Sequence, residues 1–467
     1  MGRSGAAPSI GTMSAPGTSA AASSPAGAPA ARRRPSAAAV GLGVTALLMA
    51  AAVLVPMLSG WNVRVRWFPP LHAEWDPRLG VGTPLAVLVA LGAGWYAVDL
   101  AQRLSWRRLL LVSFLAGAAW LFALALVDGR DGIGVILDTP YEYLRTARAT
   151  DDIPALLEQY VSRISYDAEP RNWPVHIAGH PPGAVLVFVL LDRIGLGSGL
   201  AAGIVVTLAA CTTAVAVLVT LRELGAEGGA RRAAPFLVLG PAAIWQAVSA
   251  DAMFAAVAAW GLAALAAASV RRSLAWSLVA GLLLGYCVMM SYGLPLLGVL
   301  ALAVLVLGGS WRPLVPAVLA AVAVVLAFAA LGFSWWEAFP ELRERYWDGV
   351  AGRRPASYWM WGNLAALAFS AGPLVGAGVA HAARHWRRFA GDAQDRVLLV
   401  LASAGALTVL LADASQMSRA EVERIWLPFV PWLLLSCALL PERWRRRGLV
   451  LQLGFAVVVQ HLLWTDW

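Results

Sequence analysis

The chain has no lysine. All 36 of its basic side chains are arginine, and only three asparagines occur. That bias is compositional, so an arginine at any one position is no evidence that a planar guanidinium was needed there. Cysteine is scarce too. Cys211, Cys287 and Cys437 all fall inside apolar runs, which excludes a disulfide framework and a CxxC metal site. Charged residues make up 13% of the chain, against about 25% in a typical soluble protein. Neither a P-loop nor a dinucleotide-binding glycine fingerprint is present, and no stretch reads as a soluble catalytic domain. A nucleotide-driven reaction is therefore not expected, and the basic balance does not call for nucleic acid.

What the chain has in abundance is apolar sequence. Of 467 residues, 60% are hydrophobic, and the mean hydropathy is +0.68. Apolar runs long enough to cross a bilayer, at about 20 residues each, recur along the chain. They predict spans near 37–59, 83–100, 109–127, 198–221, 233–248, 252–270, 273–290, 294–309, 313–333, 360–383, 396–413, 425–440 and 448–464. No alternating pattern suggests a β-barrel. The expected fold is all-α, a polytopic transmembrane helical bundle of about thirteen spans over residues 37–467. The run 184–196 holds Asp192 and Arg193 and predicts a juxtamembrane or re-entrant helix. Residues 1–36, rich in Ala, Gly, Ser and Pro, predict a disordered tail. The apolar run that follows them is too long for the core of a secretory signal.

Arginine sets the orientation. With the N-terminus inside, the cytoplasmic segments hold 21 Arg and 6 acids, a net of +15, and the other side holds 15 Arg and 21 acids, a net of −6; the sum is the overall +9. The expected location is the plasma membrane, with a cytoplasmic N-terminus. Polar chemistry then collects on the extracytoplasmic face, in loops near 60–82, 128–183, 334–358 and 413–424.

The longest of these loops, Asp128 to Gly183, is the first place to look for function, since long loops in compact domains are usually functional. It is expected to carry juxtamembrane helices and the active site. Asp128 stands at the first turn after a span, beside low-dielectric lipid, a setting that suits a general base. Asp131 and Asp138 follow at three and ten residues. His180-Pro181-Pro182-Gly183 closes the loop as a rigid turn that holds a histidine able to bind phosphate or move a proton. His176 lies four residues earlier. Asp251, after Gly240-Pro241, is an ionisable residue at a span end, or the N-terminal cap of the helix that follows. Arg353 and Arg354 suggest capture of a phosphate or pyrophosphate, with Tyr358 nearby in a Trp-rich entry to a span. Trp359 and Trp361 fit an interfacial aromatic belt. In the stretch Arg419 to Phe429, Glu421 and Arg424 have the spacing of a helical ion pair, and Arg424 enters a span beside Pro428, where an anionic partner is needed.

These pieces, in this order, resemble the GT-C superfamily of polyprenyl-phosphate-sugar glycosyltransferases, over roughly residues 109–440. The resemblance rests on Asp128, His180-Pro181-Pro182-Gly183, Pro241 with Asp251, and Arg424-Ile425-Trp426-Leu427-Pro428. More narrowly, the Val-Asp-Gly start, the His-Pro-Pro-Gly turn and Glu-Val-Glu-Arg-Ile-Trp-Leu-Pro-Phe are similar to actinobacterial membrane proteins of the methylthioxylose transferase type. His180 stands where relatives often carry lysine. The resemblance implies a GT-C-like helical fold and inverting transfer of a sugar, such as a pentose, from a polyprenyl-phosphate donor to a cell-envelope glycan. Asp128 or Asp131 would be the base. His180, His176, Asp251, Arg353, Arg354, Tyr358, Glu421 and Arg424 would bind substrate. A divalent metal is allowed, but no ligand cluster calls for one. The competing expectation is a transporter or flippase of lipid-linked sugars.

Overall fold

The computed structural model describes residues 35–465, together with Gly2 and Gly11. All but the last two residues of the expected N-terminal tail lie outside the described residues or, as Gly2 and Gly11, stand alone. From Ser36 onward the chain is helical. Ser36 caps the first helix, Ala37–Ser59, by accepting the amide of Ala39, and Gly60 closes it in the left-handed conformation. Further long apolar helices are Thr83–Arg103, Trp106–Ala125 with a 3-10 turn running on to Asp128, Gly199–Glu223, Ala250–Arg271 and Ala393–Ala414. Ser198 and Ser273 cap the helices that follow them in the same way as Ser36.

Six helices are long and apolar enough to cross a membrane, or eight if two bent pairs each count as one span. The expected thirteen spans are corrected accordingly. The apolar runs are where they were expected, but several are broken. The run 233–248 ends as a helix at Val238, passes Gly240-Pro241, and resumes as the single turn Ala243–Gln246. The run 425–440 splits around Pro428 into Val422–Ile425 and Val430–Ala438. The run 360–383 bends by 105° between Ala356–Ala371 and Leu374–Arg384. Glycine and proline at the breaks explain each interruption. Broken backbone inside a bundle must find new hydrogen-bond partners. At the 105° bend Gln452 supplies them: its amide donates to Ala371 O at 2.8 Å and accepts from Leu374 N at 3.2 Å. The run 184–196 forms an eleven-residue helix, Gly183–Arg193.

The bundle is built around Ala250–Arg271, whose apolar window is 83% buried. It packs between Gly199–Glu223 and Leu274–Met290. Its alanines let neighbouring backbones come close, as small residues do where helices meet in lipid. The next interface continues the device: a side chain at Gly281 or Gly285 would strike the backbone of Ala317 or Ala321. One element departs from the all-α expectation. Ala73–Trp75 pairs antiparallel with Leu463–Thr465, tying the C-terminal helix to the first long loop.

The ion pairs follow the two-sided division read from the sequence. Arg231, Arg232, Arg271 and Arg446 bind Glu227, Asp395, Glu223 and Asp99, all in the arginine-rich segments. Arg78, Arg354 and Arg424 bind Asp128, Glu421 and Asp251, all in the other set, here termed the loop end.

Candidate functional site

At the loop end, Arg424 is the hub. Its side chain is almost wholly buried, and Nη1 donates to Asp251 Oδ2 at 2.6 Å; Asp251 is buried to the same degree. Glu421 Oε2 lies 3.5 Å from Nη2, and His176 Nε2 faces the same Nη2 at 3.4 Å. Three separate segments thus contribute to one buried cluster. Two of them arrive on strained backbone. Val248, three residues before Asp251, has φ 56°, with its N–H held by Thr207 Oγ1 at 3.0 Å. Ala420 and Glu421, just before the turn that carries Arg424, have φ 74° and 63°. Left-handed backbone is costly for a β-branched residue and persists where surrounding contacts over-determine it, commonly at functional sites.

His176 is oriented from its other nitrogen. Glu142 Oε1 lies 2.7 Å from Nδ1, and Glu142 is itself buried. The ring therefore bridges a carboxylate at Nδ1 and a guanidinium at Nε2. His180 is built in by the rigid turn. Its Nδ1 meets the carbonyl of His176 at 2.8 Å, which can only accept, so Nδ1 carries the proton and Nε2 is left as an acceptor. The Tyr160 hydroxyl reaches the carbonyls of Ile177 and His180 at 2.8 and 2.9 Å, bracing this turn from behind. Tyr143 stacks on Phe188 and meets the His180 ring edge-on.

Arg354, also buried, extends the cluster. Its Nη2 lies 3.3 Å from Glu421 Oε1 and 2.7 Å from His72 Nε2, and it donates to the carbonyls of Arg64 and Arg419. Glu421 therefore sits between two guanidinium groups. Burial alone would raise its pKa, but Arg354, His72 and Arg424 together hold it at about 2. Burial works against Glu142 too, and His176 wins, keeping it below the usual carboxylate range. For Arg424 burial disfavours the charge, yet Asp251, Glu142 and Glu421 push its pKa above normal. Burial lowers the His180 pKa, despite Asp251. The core thus sets two guanidinium groups against three carboxyl groups, with the imidazoles of His72 and His176 among them.

Glu423 is different. It is fully buried, and neither carboxyl oxygen has a hydrogen-bond partner among the described residues. Burial lifts its pKa to about 7, with Glu421 adding to the rise.

The other expected residues are placed elsewhere. Asp128 is held by Arg78, which spans both its oxygens, and by Gln460 Nε2 at 2.9 Å. Beside them Thr83 Oγ1 meets His461 Nε2 at 2.9 Å. The segments that carry Asp128 and Asp251 are neighbours: Ile133 and Val248 both abut Gly203. Asp131 is exposed at the start of a four-residue helix, and Asp138 is occupied by Arg148 and Arg145. Arg353 is exposed while its neighbour Arg354 is buried. Tyr358, expected to bind substrate, lies in the interior. It is fully buried, donates to Ala52 O at 2.8 Å, and packs with Trp359 under the first helix. Trp359 is likewise buried, donating to Val63 O, and so does not belong to an interfacial belt.

Sequence reasoning missed Glu142, Glu423, Arg78 and Gln460, and placed His72 only in a polar outer loop. Glu142 lay in the loop already singled out, and Glu423 in the quoted Glu-Val-Glu-Arg run. Gln460 had a signal too, as a polar residue inside an apolar run. Among the described residues no group of three or more His, Cys, Asp or Glu is placed to hold a metal ion.

No family model matches this chain, and no curated protein matches it. Among solved structures it is similar to the crystal structure of the Archaeoglobus fulgidus oligosaccharyltransferase complex with zinc and sulfate, at 13% identity and a TM-score of 0.42. The match covers 73% of this chain and 53% of that one, so the chain spans about half the length of the structure it matches.

Proposed function

We propose that this protein is a GT-C-type glycosyltransferase that moves a sugar from a polyprenyl-phosphate donor to a hydroxyl of an envelope glycan, at the extracytoplasmic face of the plasma membrane. One observation carries the reading. A buried guanidinium, Arg424, is held at the loop end of an apolar bundle by its neighbour Glu421 and by a carboxylate, Asp251, and an imidazole, His176, from two other segments. A lipid phosphate needs a cationic group at the membrane surface, where low dielectric strengthens each charge contact. The order of Asp128, His180-Pro181-Pro182-Gly183, Asp251 and Arg424 along the chain supports the same class.

In this reading Arg424 stabilises the departing phosphate, with Arg354 behind it and His180 Nε2 facing the sugar. Asp251 and Glu421 position Arg424, and Glu142 positions His176. Inverting displacement needs the base on the opposite face of the sugar from the leaving phosphate. Asp128, held apart from the cluster by Arg78 and Gln460, supplies a carboxylate there. It removes the proton from the acceptor hydroxyl as that oxygen attacks the anomeric carbon and the bond to the phosphate oxygen breaks. Asp131 is the nearest alternative base. A pentose such as methylthioxylose fits the narrower resemblance.

An apolar cleft of about 260 Å³ between Thr83–Arg103, Trp106–Ala125 and Glu227–Val238 favours a second reading, a flippase of lipid-linked sugars. The test is sugar transfer in membranes containing the protein, supplied with labelled polyprenyl-phosphate sugars and native glycan. Wild type is expected to transfer, and Asp128→Asn to lose about 10²–10⁴ of the rate. No transfer from any donor, with lipid-linked sugar flipping instead, would replace the enzyme by the flippase.

A further inference from the structure

The loop end holds a second polar feature that the transfer reading does not use. A cavity of about 500 Å³ lies within the 128–183 segment, bounded by the short helices Leu144–Arg148 and Ile153–Glu158 and by residues 171–174. Its volume falls in the ~300–1,000 Å³ range of small-ligand sites. Its walls are fixed from outside. Arg345, buried on the helix Trp335–Asp348, donates to Trp173 O at 2.9 Å and to Ile164 O. Trp173 Nε1 donates to Tyr160 O at 2.8 Å, and the Arg163 guanidinium covers the Trp173 ring at 3.6 Å. Asn172 Nδ2 donates to Tyr166 O at 2.8 Å. A cavity held open in this way is pre-organised, which lowers the cost of binding.

The lining is mixed in character. Thr146, Asp151, Gln159 and Arg171 face it with side chains that make no hydrogen bond or ion pair within the protein among the described residues. They provide a hydroxyl, a carboxylate, an amide and a guanidinium. A site for a simple anion would be lined by donors alone, and a site for a lipid tail by carbon. Acceptors and donors interleaved match a ligand whose groups both donate and accept, and sugar hydroxyls do so.

The cavity also adjoins the charged cluster. Its inner wall includes Pro140 and Pro174, each two residues from a member of the Glu142–His176 pair. The backbone joins the two walls at that point, where His176 N donates to Tyr141 O at 3.3 Å. We infer that this cavity is the acceptor subsite: it holds a short segment of neutral glycan and leads its terminal sugar toward the cluster around Arg424. The inference rests on the glycosyltransferase reading for its purpose, and on the cavity alone for its ligand class.

The experiment is equilibrium binding to the full-length protein in detergent, with no donor present. The probes are labelled tetrasaccharides, α- and β-linked, of hexopyranoses and of pentofuranoses, with inorganic phosphate as competitor. At least one tetrasaccharide should bind saturably in the millimolar range or below. The variant Gln159→Ala/Arg171→Ala changes two exposed side chains and should weaken that binding by about tenfold or more, the size of one or two lost hydrogen bonds. The inference is overturned if no tetrasaccharide saturates, if the double variant binds like wild type, or if phosphate displaces the sugar. Glycan binding without transfer would sink the enzyme reading and keep the subsite. Transfer without cavity-dependent binding would do the reverse.

Discussion

The Arg424–Asp251 pair makes an asymmetric prediction. Both side chains are buried, at 5% and 4% exposure, and their contact is 2.6 Å. Replacing Arg424 by methionine leaves Asp251 as a buried carboxylate with its cation gone. Removing one partner of a buried pair in this way costs about 3–5 kcal/mol. Replacing Asp251 by asparagine is milder. The amide oxygen can still accept from Nη1, and Arg424 keeps Glu421 at 3.5 Å and His176 at 3.4 Å. The expected loss is about 1–2 kcal/mol, the difference between a charged and a neutral hydrogen bond. Unfolding of purified protein in mixed micelles, titrated with SDS and followed by circular dichroism, measures both. Arg424→Met should exceed Asp251→Asn by about 1–4 kcal/mol. Equal losses, or a loss under about 1 kcal/mol for Arg424→Met, would refute the claim that Arg424 is the hub of the buried charge.

Glu423 predicts a pH effect of definite sign. Its folded pKa of about 7 lies above the ordinary value of 4.5, so the folded state binds the extra proton between those limits. Stability should therefore fall as pH rises from about 4.5 to 7, by about 3 kcal/mol, and Glu423→Gln should remove that fall while changing little at pH 4. Glu421, held at about 2, works in the opposite sense: its contribution is present above pH 4.5 and is lost as pH falls toward 2, so Glu421→Gln should flatten the acid limb of an unfolding profile. Gln452→Leu should cost about 2–5 kcal/mol in the same micelle titration, because it strands both Ala371 O and Leu374 N at the 105° bend. Gln452→Glu restores one of those contacts and should lie between the two.

Much of the loop-end chemistry was legible because it depends on residue type and position along the chain. Arg424 was singled out as a charge that needed an anionic partner and Asp251 as an ionisable residue at a span end, and the two are paired with each other. His176 and Arg354 were flagged on weaker grounds and sit in the same cluster. Arg353 and Arg354, adjacent in sequence, could not be separated without the turn that buries one and exposes the other. The pairing of Asp128 with Arg78 and Gln460 joins residues 50 and 332 positions apart, and no local pattern announces it. Span counting failed for a physical reason. Hydropathy registers apolar content, and a helix broken at Gly372 or Pro428 keeps that content while losing its continuity. The small-residue contacts that let the bundle tolerate such breaks depend on which faces meet, and that is set by tertiary packing.

The most direct test of the central claim is sugar transfer from labelled polyprenyl-phosphate donors with Arg424→Lys, which keeps the charge but loses the fork that reaches Asp251 and His176 together. The account predicts a folded protein, at wild-type expression, whose transfer rate falls by about 10²-fold or more. Transfer at the wild-type rate in this variant would contradict the assignment of Arg424 to the departing phosphate.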